Sequence, residues 1–226
     1  MKNLFEKYHI TISENQKEKF DAFYRLISEE NEKVNLTAIV NEDDFFIKHV
    51  LDSLTVLPFL TGKNMIDVGS GGGFPGIPVA IMREDLNVTL LDATGKKCLF
   101  LEKAAKELDL KKVTVLCGRA EELSKSAPHR EGYDICTARA VARLNTLTEY
   151  CLPFVKVGGV MVAMKGDAEE EIKEAANAIA VLGGKTEEVK TFNLEENKRT
   201  IVVIKKEKPT PPKYPRGNGK ERKKPL

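Results

Sequence analysis

The stretch Asp67-Val68-Gly69-Ser70-Gly71-Gly72-Gly73-Phe74-Pro75-Gly76 decides the fold of this 226-residue chain. Asn64-Met65-Ile66-Asp67-Val68 reads as a short strand running into it. Five of the eight residues from 69 to 76 are then glycine. Glycine permits positive φ and lets a ligand approach bare backbone. The stretch therefore predicts a strand that turns sharply into a helix around a ligand. Free N–H groups at the start of that helix would face the ligand.

On the C-terminal side, strands and helices alternate. Further strands are predicted at Val88–Asp92, Val113–Leu116, Tyr133–Thr137 and Val160–Met164. Helices are predicted over about 76–84, 96–109, 119–126, 144–154 and 167–182. Such alternation predicts an α/β fold, a mostly parallel sheet with helices on both faces. The end differs: 185–192 and Thr200–Ile204 have no helix between them and should form an antiparallel terminal strand pair at one sheet edge. On the N-terminal side, residues 1–61 read as a helical extension. Ser13 and Gln16 match a capping box, and Phe20, Phe23, Leu26 and Ile27 follow at helical spacing. A second helix should start after Asn41 and bury Phe46, Val50, Leu54 and Leu57. The chain thus divides into residues 1–61, 62–206 and 207–226.

The last of these segments is set apart by charge. The whole chain has 36 Lys+Arg against 34 Asp+Glu, a net of +2. Residues 205–226 hold nine basic and two acidic residues, so they carry +7 and the remaining 204 carry −5. Five of the ten prolines also lie there, which makes the segment a poor candidate for helix or sheet. A basic tail on a mildly acidic body suits an anionic polymer as partner, and deleting residues 207–226 should weaken that binding while leaving a small ligand bound. Composition excludes a disordered chain. No apolar run reaches the roughly 18 residues of a membrane helix, and the first residues lack the apolar stretch of a signal peptide. Cys98, Cys117, Cys136 and Cys151 form no C-x-x-C pair. That argues against a structural metal and fits reduced thiols in a cytoplasmic protein.

The choice of small ligand rests on two carboxylates. Gly71-Gly72-Gly73-Phe74-Pro75-Gly76 matches the G-x-G-x-x-G of dinucleotide sites, a weak signal alone. Asp92, at the end of the second strand and 23 residues after Gly69, can accept hydrogen bonds from both hydroxyls of a ribose. Asp67 places negative charge under the loop. It would oppose a pyrophosphate and favour the cationic S-adenosyl-L-methionine. A nicotinamide-dependent oxidoreductase and a non-catalytic RNA-binding factor remain as alternatives.

Taken together, several segments identify a family. Besides Asp67–Gly76, they are Val34-Asn35-Leu36-Thr37, His49-Val50-Leu51-Asp52-Ser53, Leu91-Asp92-Ala93-Thr94-Gly95-Lys96-Lys97, Thr137-Ala138-Arg139-Ala140 and Ala163-Met164-Lys165-Gly166. The chain resembles the RsmG (glucose-inhibited division protein B) family of class I S-adenosylmethionine-dependent methyltransferases over nearly its whole length. The resemblance implies a Rossmann-like fold and methyl transfer to N7 of a guanine in 16S (small-subunit) ribosomal RNA. It implies cofactor contacts at Gly69, Gly71, Phe74, Asp92, Ala93, Thr94, Ala120, Glu121 and Arg139. Ala93 is a departure, since many members carry Ser there. A monomer acting on rRNA or the small ribosomal subunit is expected.

The chemistry agrees with the residues present. Guanine N7 offers a lone pair in the neutral base, so placement suffices and no general base is required. Amine methylation usually shows an [Asn/Asp/Ser]-Pro-Pro-[Tyr/Phe] run where this chain has Thr137-Ala138-Arg139-Ala140. Pyrimidine C5 methylation needs a cysteine nucleophile, and Cys136 and Cys151 lie in apolar stretches. Arg139 and Lys165, at strand ends, are the candidate catalytic residues, expected to touch cofactor, base or phosphate. His49 is expected to pack the N-terminal helices over the site rather than to catalyse, with Asn35 and Thr37 as lid. Lys96, Lys97, Arg119, Arg143, Arg199 and the tail are candidate RNA contacts, weakened by salt.

Overall fold

In the computed structural model, which describes residues 2–39 and 41–226, the helical extension comes first. It comprises α1 (Lys2–Lys7), α2 (Glu14–Val34), α3 (Glu42–Phe45), a π-helical turn (Phe46–Leu51) and α4 (Asp52–Leu54). The sheet follows as β1 (Asn64–Val68), α5 (Gly76–Met82), β2 (Asn87–Asp92), α6 (Gly95–Glu107), β3 (Val113–Cys117), α7 (Ala120–Leu123), β4 (Tyr133–Arg139), α8 (Leu144–Cys151), β5 (Val155–Lys165) and α9 (Glu169–Val181). The hairpin β6 (Gly184–Leu194) and β7 (Asn197–Lys206) ends the sheet, and α10 (Lys220–Lys223) lies near the C-terminus.

Ser13 caps α2 as its spacing predicts. Its hydroxyl accepts the Gln16 amide, and the Gln16 side chain accepts the Ser13 N–H. Asn41 caps α3 in the same way through Asp44 N–H. The second predicted helix starts there but opens into the π-helical turn at Phe46. Periodicity does not announce that turn, and it presents Lys48, His49 and Asp52 to the sheet.

The sheet order is β3-β2-β1-β4-β5-β7-β6. β1 to β5 run parallel, while β7 runs antiparallel to both β5 and β6. The terminal antiparallel pair is therefore as read from the sequence. Strand order reverses between β1 and β4, where open α/β sheets form their ligand crevice. Asp67 sits opposite Leu90 of β2 and Thr137 of β4 in register. One apolar cluster joins Phe20, Phe23 and Phe45 of the extension to Ile77 of α5 and Leu90 of β2. The N-terminal helices are thus built into the sheet's core.

The basic C-terminal segment is packed on the body. Little of it is regular, as its prolines foretell, but Tyr214 belongs to the second apolar cluster. The Arg130 guanidinium donates to the carbonyls of Thr210, Pro211 and Tyr214. Lys206 is buried, bonded to the Leu152 carbonyl and the Thr210 hydroxyl, and burial lowers its pKa to about 8. Glu149 is 1% exposed, and Arg216 answers it through its backbone N–H, Nε and Nη2 at 2.7–3.2 Å. Charge composition gave no sign of this docking, because several of the charges counted as tail are internal ion pairs.

Removing one partner of such a buried pair strands the other charge. Arg216→Ala should lower unfolding free energy by about 3 kcal/mol, read as a reduced urea midpoint with unchanged slope. Wild-type stability would show that the segment is not anchored there.

Candidate active site

β1 and β4 end side by side at the sheet's switch point. Asp67, in β1, is fully buried. Its Oδ2 accepts the Gly76 N–H at 3.1 Å and its Oδ1 accepts the Thr137 hydroxyl at 3.0 Å. Burial raises its pKa to about 6. Both oxygens serve the protein, so the fully buried Asp67 braces the glycine loop from beneath. Gly76 is required by this contact, since a Cβ there would meet Leu90 and come within 3.0 Å of Asp67 Oδ2.

The loop's N–H groups are also engaged. Gly69 and Ser70 donate to the Leu91 carbonyl, Gly73 and Phe74 to Ser70, and Ile77 to Gly73. Gly71 donates to Asp92 Oδ2 at 2.9 Å, and Thr94 to Asp92 Oδ1 at 2.8 Å. The sequence predicts free amides facing a ligand; the structure turns those of Gly69, Ser70, Gly71, Gly73 and Phe74 inward. A pyrophosphate needs those donors, so the loop is poorly built for a dinucleotide. Each Asp92 oxygen keeps a further lone pair that a ribose hydroxyl can use.

A cavity of about 210 Å³ opens beside Asp92. Gly69, Asp92, Ala93, Ala120 and Glu121 line it, as do Gly219 and Arg222 of the C-terminal segment. Two largely buried carboxylates, Asp92 at 7% and Glu121 at 9% exposure, offer acceptors for a diol and for an exocyclic amine. That donor–acceptor set fits the adenosine end of S-adenosylmethionine. Gly71 and Thr94 do not line this cavity and act on it through Asp92. Phe74 and Arg139 lie outside it.

Arg139 instead lines a second cavity, of about 420 Å³, with His49, Asp52, Lys165, Glu171 and Arg199. No described residue lines both; Ala140 faces one and Val141 the other. Ala140 has φ +57°, a left-handed conformation that costs an L-residue roughly 1–2 kcal/mol. Arg139 Nη1 donates to Asp52 Oδ2 at 2.9 Å and to the Lys48 carbonyl at 3.1 Å. Its Nη2 bonds His49 Nδ1 at 3.0 Å, and the guanidinium lies 5.0 Å from the Phe74 ring centroid. Asp52 Oδ1 accepts Arg199 Nε at 2.7 Å, so one buried carboxylate holds two arginines. Arg199, a candidate RNA contact in the sequence, is thus a wall of this cavity. Lys165 donates to the Ala142 carbonyl and pairs with Glu171 at 2.7 Å, while Glu171 also accepts the Leu144 N–H.

His49 is neutral for a geometric reason. An arginine can only donate, so Nδ1 must accept and Nε2 must carry the proton. Nε2 then donates to Thr37 Oγ1 at 2.6 Å. The ring stacks on Phe74 at a 4.3 Å centroid distance, and burial, with Arg139 beside it, lowers its pKa to about 3. Asn31 fixes the Thr37 loop by accepting the Leu36 and Thr37 amides and donating to the Thr37 carbonyl. Asn35 instead closes α2 in a left-handed conformation. Of the other candidate RNA contacts, Arg143 pairs with Glu174, Arg119 lies 3.7 Å from Glu121, and Lys96 is exposed beside the half-buried Lys97.

Because the folded His49 binds its proton more weakly than the unfolded chain, its contribution to stability grows as pH rises from about 3 to 6.5. Asp67 runs oppositely: its raised pKa gives stability at low pH that is lost as pH rises through about 6. NMR of the His49 ring should show the Nε2-H tautomer without titration from pH 8 to 5. A midpoint near the ordinary value of about 6.5 would contradict the geometry.

Comparisons with known proteins give the family and the fold. The chain matches the family model described as rRNA small subunit methyltransferase G over residues 16–202. It is 46% identical over 223 residues to ribosomal RNA small subunit methyltransferase G of Acetivibrio thermocellus, covering 97% of this chain and 92% of that one. Identity to the protein of the same name from Brevibacillus brevis is 47%, covering 96% and 94%. Among solved structures, a putative O-methyltransferase from Klebsiella pneumoniae is similar at TM-score 0.58 and 13% identity, over 91% of this chain and 96% of that one. Methanococcus jannaschii TYW2 in complex with AdoMet gives TM-score 0.54 at 11% identity, over 70% and 76%. These two show the class I methyltransferase fold. The chain belongs to the GidB family, that of rRNA small subunit methyltransferase G.

Proposed function

We propose that this protein transfers a methyl group from S-adenosyl-L-methionine to N7 of a guanine in 16S ribosomal RNA. The names of its relatives and the adenosine-shaped donor set support the cofactor and the RNA. The observation that carries the atom assignment is the state of the second cavity. Its bases are largely engaged. His49 has both nitrogens bonded, Asp52 holds two arginines, and Glu171 gives its Oε2 to Lys165 and the Leu144 amide. An acceptor that must lose a proton would find only the Glu171 Oε1, on a carboxylate already paired with Lys165. Guanine N7 has no proton to lose.

In this reading S-adenosylmethionine, when bound, supplies a methyl group on a positively charged sulfur. Asp92 and Glu121 hold the adenosine, with Gly69, Ala93 and Ala120 as walls and Gly71 and Thr94 fixing Asp92. Arg139 lines the second cavity, with Phe74 against its face. Arg139 and Lys165 are the groups that face the acceptor, and as pure donors they can grip a base carbonyl or a phosphate without competing for the N7 lone pair. The segments divide the work: residues 1–61 roof the acceptor cavity, 62–206 supply the carboxylates of the cofactor cavity, and exposed Lys208, Lys213, Lys220, Lys223 and Lys224 of 207–226 meet RNA. We propose further that it acts as a cytoplasmic monomer on the RNA or on the small ribosomal subunit. Among the described residues, no helix is long and apolar enough to cross a membrane.

Labelled methyl transfer to unmodified 16S RNA and to small subunits, followed by mapping of the modified base, tests the reading. Label at a guanine N7 is expected; label at an amine or ring carbon contradicts it. Asp92→Ala should weaken cofactor binding by roughly tenfold or more, from the loss of hydrogen bonds to a charged acceptor. Unchanged affinity in calorimetry would remove Asp92 from the site.

A further inference from the structure

The C-terminal segment reaches the cofactor cavity. Gly219 and Arg222 line it together with Asp92, Ala93, Glu121 and Tyr150. Their positions are fixed by contacts that have nothing to do with RNA. Arg216 is locked on buried Glu149, three residues before Gly219. Glu221 is fully buried beside Arg222; its carbonyl accepts the Thr146 hydroxyl, and its carboxylate accepts the Gly217 N–H. Arg222 is therefore hung from two anchors in α8, the helix that also supplies Tyr150 to the cavity. The Arg222 guanidinium lies near the Tyr150 hydroxyl. Gly219 has φ +71° and open space where a Cβ would stand, so the wall here is low and the cavity is open beside it.

The rest of that cavity supplies acceptors. Asp92 and Glu121 are carboxylates, suited to hydroxyl and amine hydrogens. The acceptor atoms of a purine ring, and its π face, need a donor or a flat cation from the protein. Arg119 lies 65% exposed in its side chain and turned to Glu121. Arg222 is a second cation, brought to the cavity by the chain's end, and a guanidinium both donates and stacks on a flat ring.

We propose that Arg222 is a further cofactor-binding residue, closing the nucleoside end of the cavity on the purine base, and that the docked C-terminal segment is part of the cofactor site. The proposal rests on the S-adenosylmethionine reading above. It reverses the expectation that residues 207–226 can be removed without loss of cofactor binding.

Calorimetry with S-adenosylmethionine and with methylthioadenosine tests it on the full-length protein, comparing wild type, R222A, R222K, K224A and D92A. R222A should weaken both ligands by about tenfold, the worth of one charge-assisted contact. R222K should recover only part, because ammonium does not stack. K224A, from the same exposed segment, should bind as wild type. In turnover, R222A should raise KM for S-adenosylmethionine and leave kcat nearly unchanged. Wild-type affinity in R222A, with D92A impaired, overturns the proposal and leaves the cofactor reading standing. So does R222A losing RNA affinity alone. Loss for S-adenosylmethionine but not for methylthioadenosine would place Arg222 on the amino-acid end and overturn the assignment to the base. Failure of the wild type to bind either ligand would overturn the cofactor reading itself.

Discussion

The ion pair between Asp52 and Arg139 holds the functional half of this molecule together. Asp52 comes from the helical extension and Arg139 from the last residue of β4. Both are mostly buried, and such a pair is worth keeping only when its remaining hydrogen-bonding positions are satisfied. Here they are: Arg199 takes the other Asp52 oxygen, while Lys48 and His49 take further Arg139 hydrogens. His49 continues the chain to Thr37, and its ring stacks on Phe74 of the glycine loop. Removing the pair would therefore disturb the roof, the loop and the strand end together. The π-helical turn and the start of α4 carry the Lys48 carbonyl, His49 and Asp52 that meet Arg139.

Two cavities lie on either side of residues 139–141, with different chemistry. The first is lined by the carboxylates of Asp92 and Glu121 with Arg119 and Arg222, and suits a hydroxyl-rich nucleoside. The second is bounded by cations whose own counter-charges are already in place. An anionic nucleic acid can approach such a surface, and its base meets donors rather than bases. The left-handed Ala140 is the hinge between them: one residue of unfavourable backbone lets Arg139 and Val141 face opposite compartments.

Much of this was legible in the sequence. The glycine loop, the strand–helix alternation, the terminal hairpin and the Ser13 cap depend on local patterning, and the structure has them. Asp92, Ala93, Ala120 and Glu121 meet in one cavity because they lie at or just after the ends of the adjacent parallel strands β2 and β3, a relation that strand order makes readable. Other features depend on pairings between residues far apart in the chain. Asp67 and the loop amides look like ligand contacts until their partners, Thr137, Leu91 and Ser70, are seen to engage them. Arg199 and Arg216 look like surface charge until Asp52 and Glu149 are found beneath them. No local pattern marks the π-helical turn or Ala140. Net charge misled for the same reason: it counts internal ion pairs as surface.

With the second cavity proposed as the acceptor's, Asp52 is a positioning residue for Arg139, without contact to cofactor. The most direct measurement is a comparison of cofactor affinity and single-turnover methyl transfer in a D52N variant. Cofactor affinity should stay within about twofold, while the transfer rate on the RNA falls by about a hundredfold as Arg139 loses its anchor. Wild-type transfer in D52N, or cofactor affinity falling in step with the rate, would contradict the division between the two cavities.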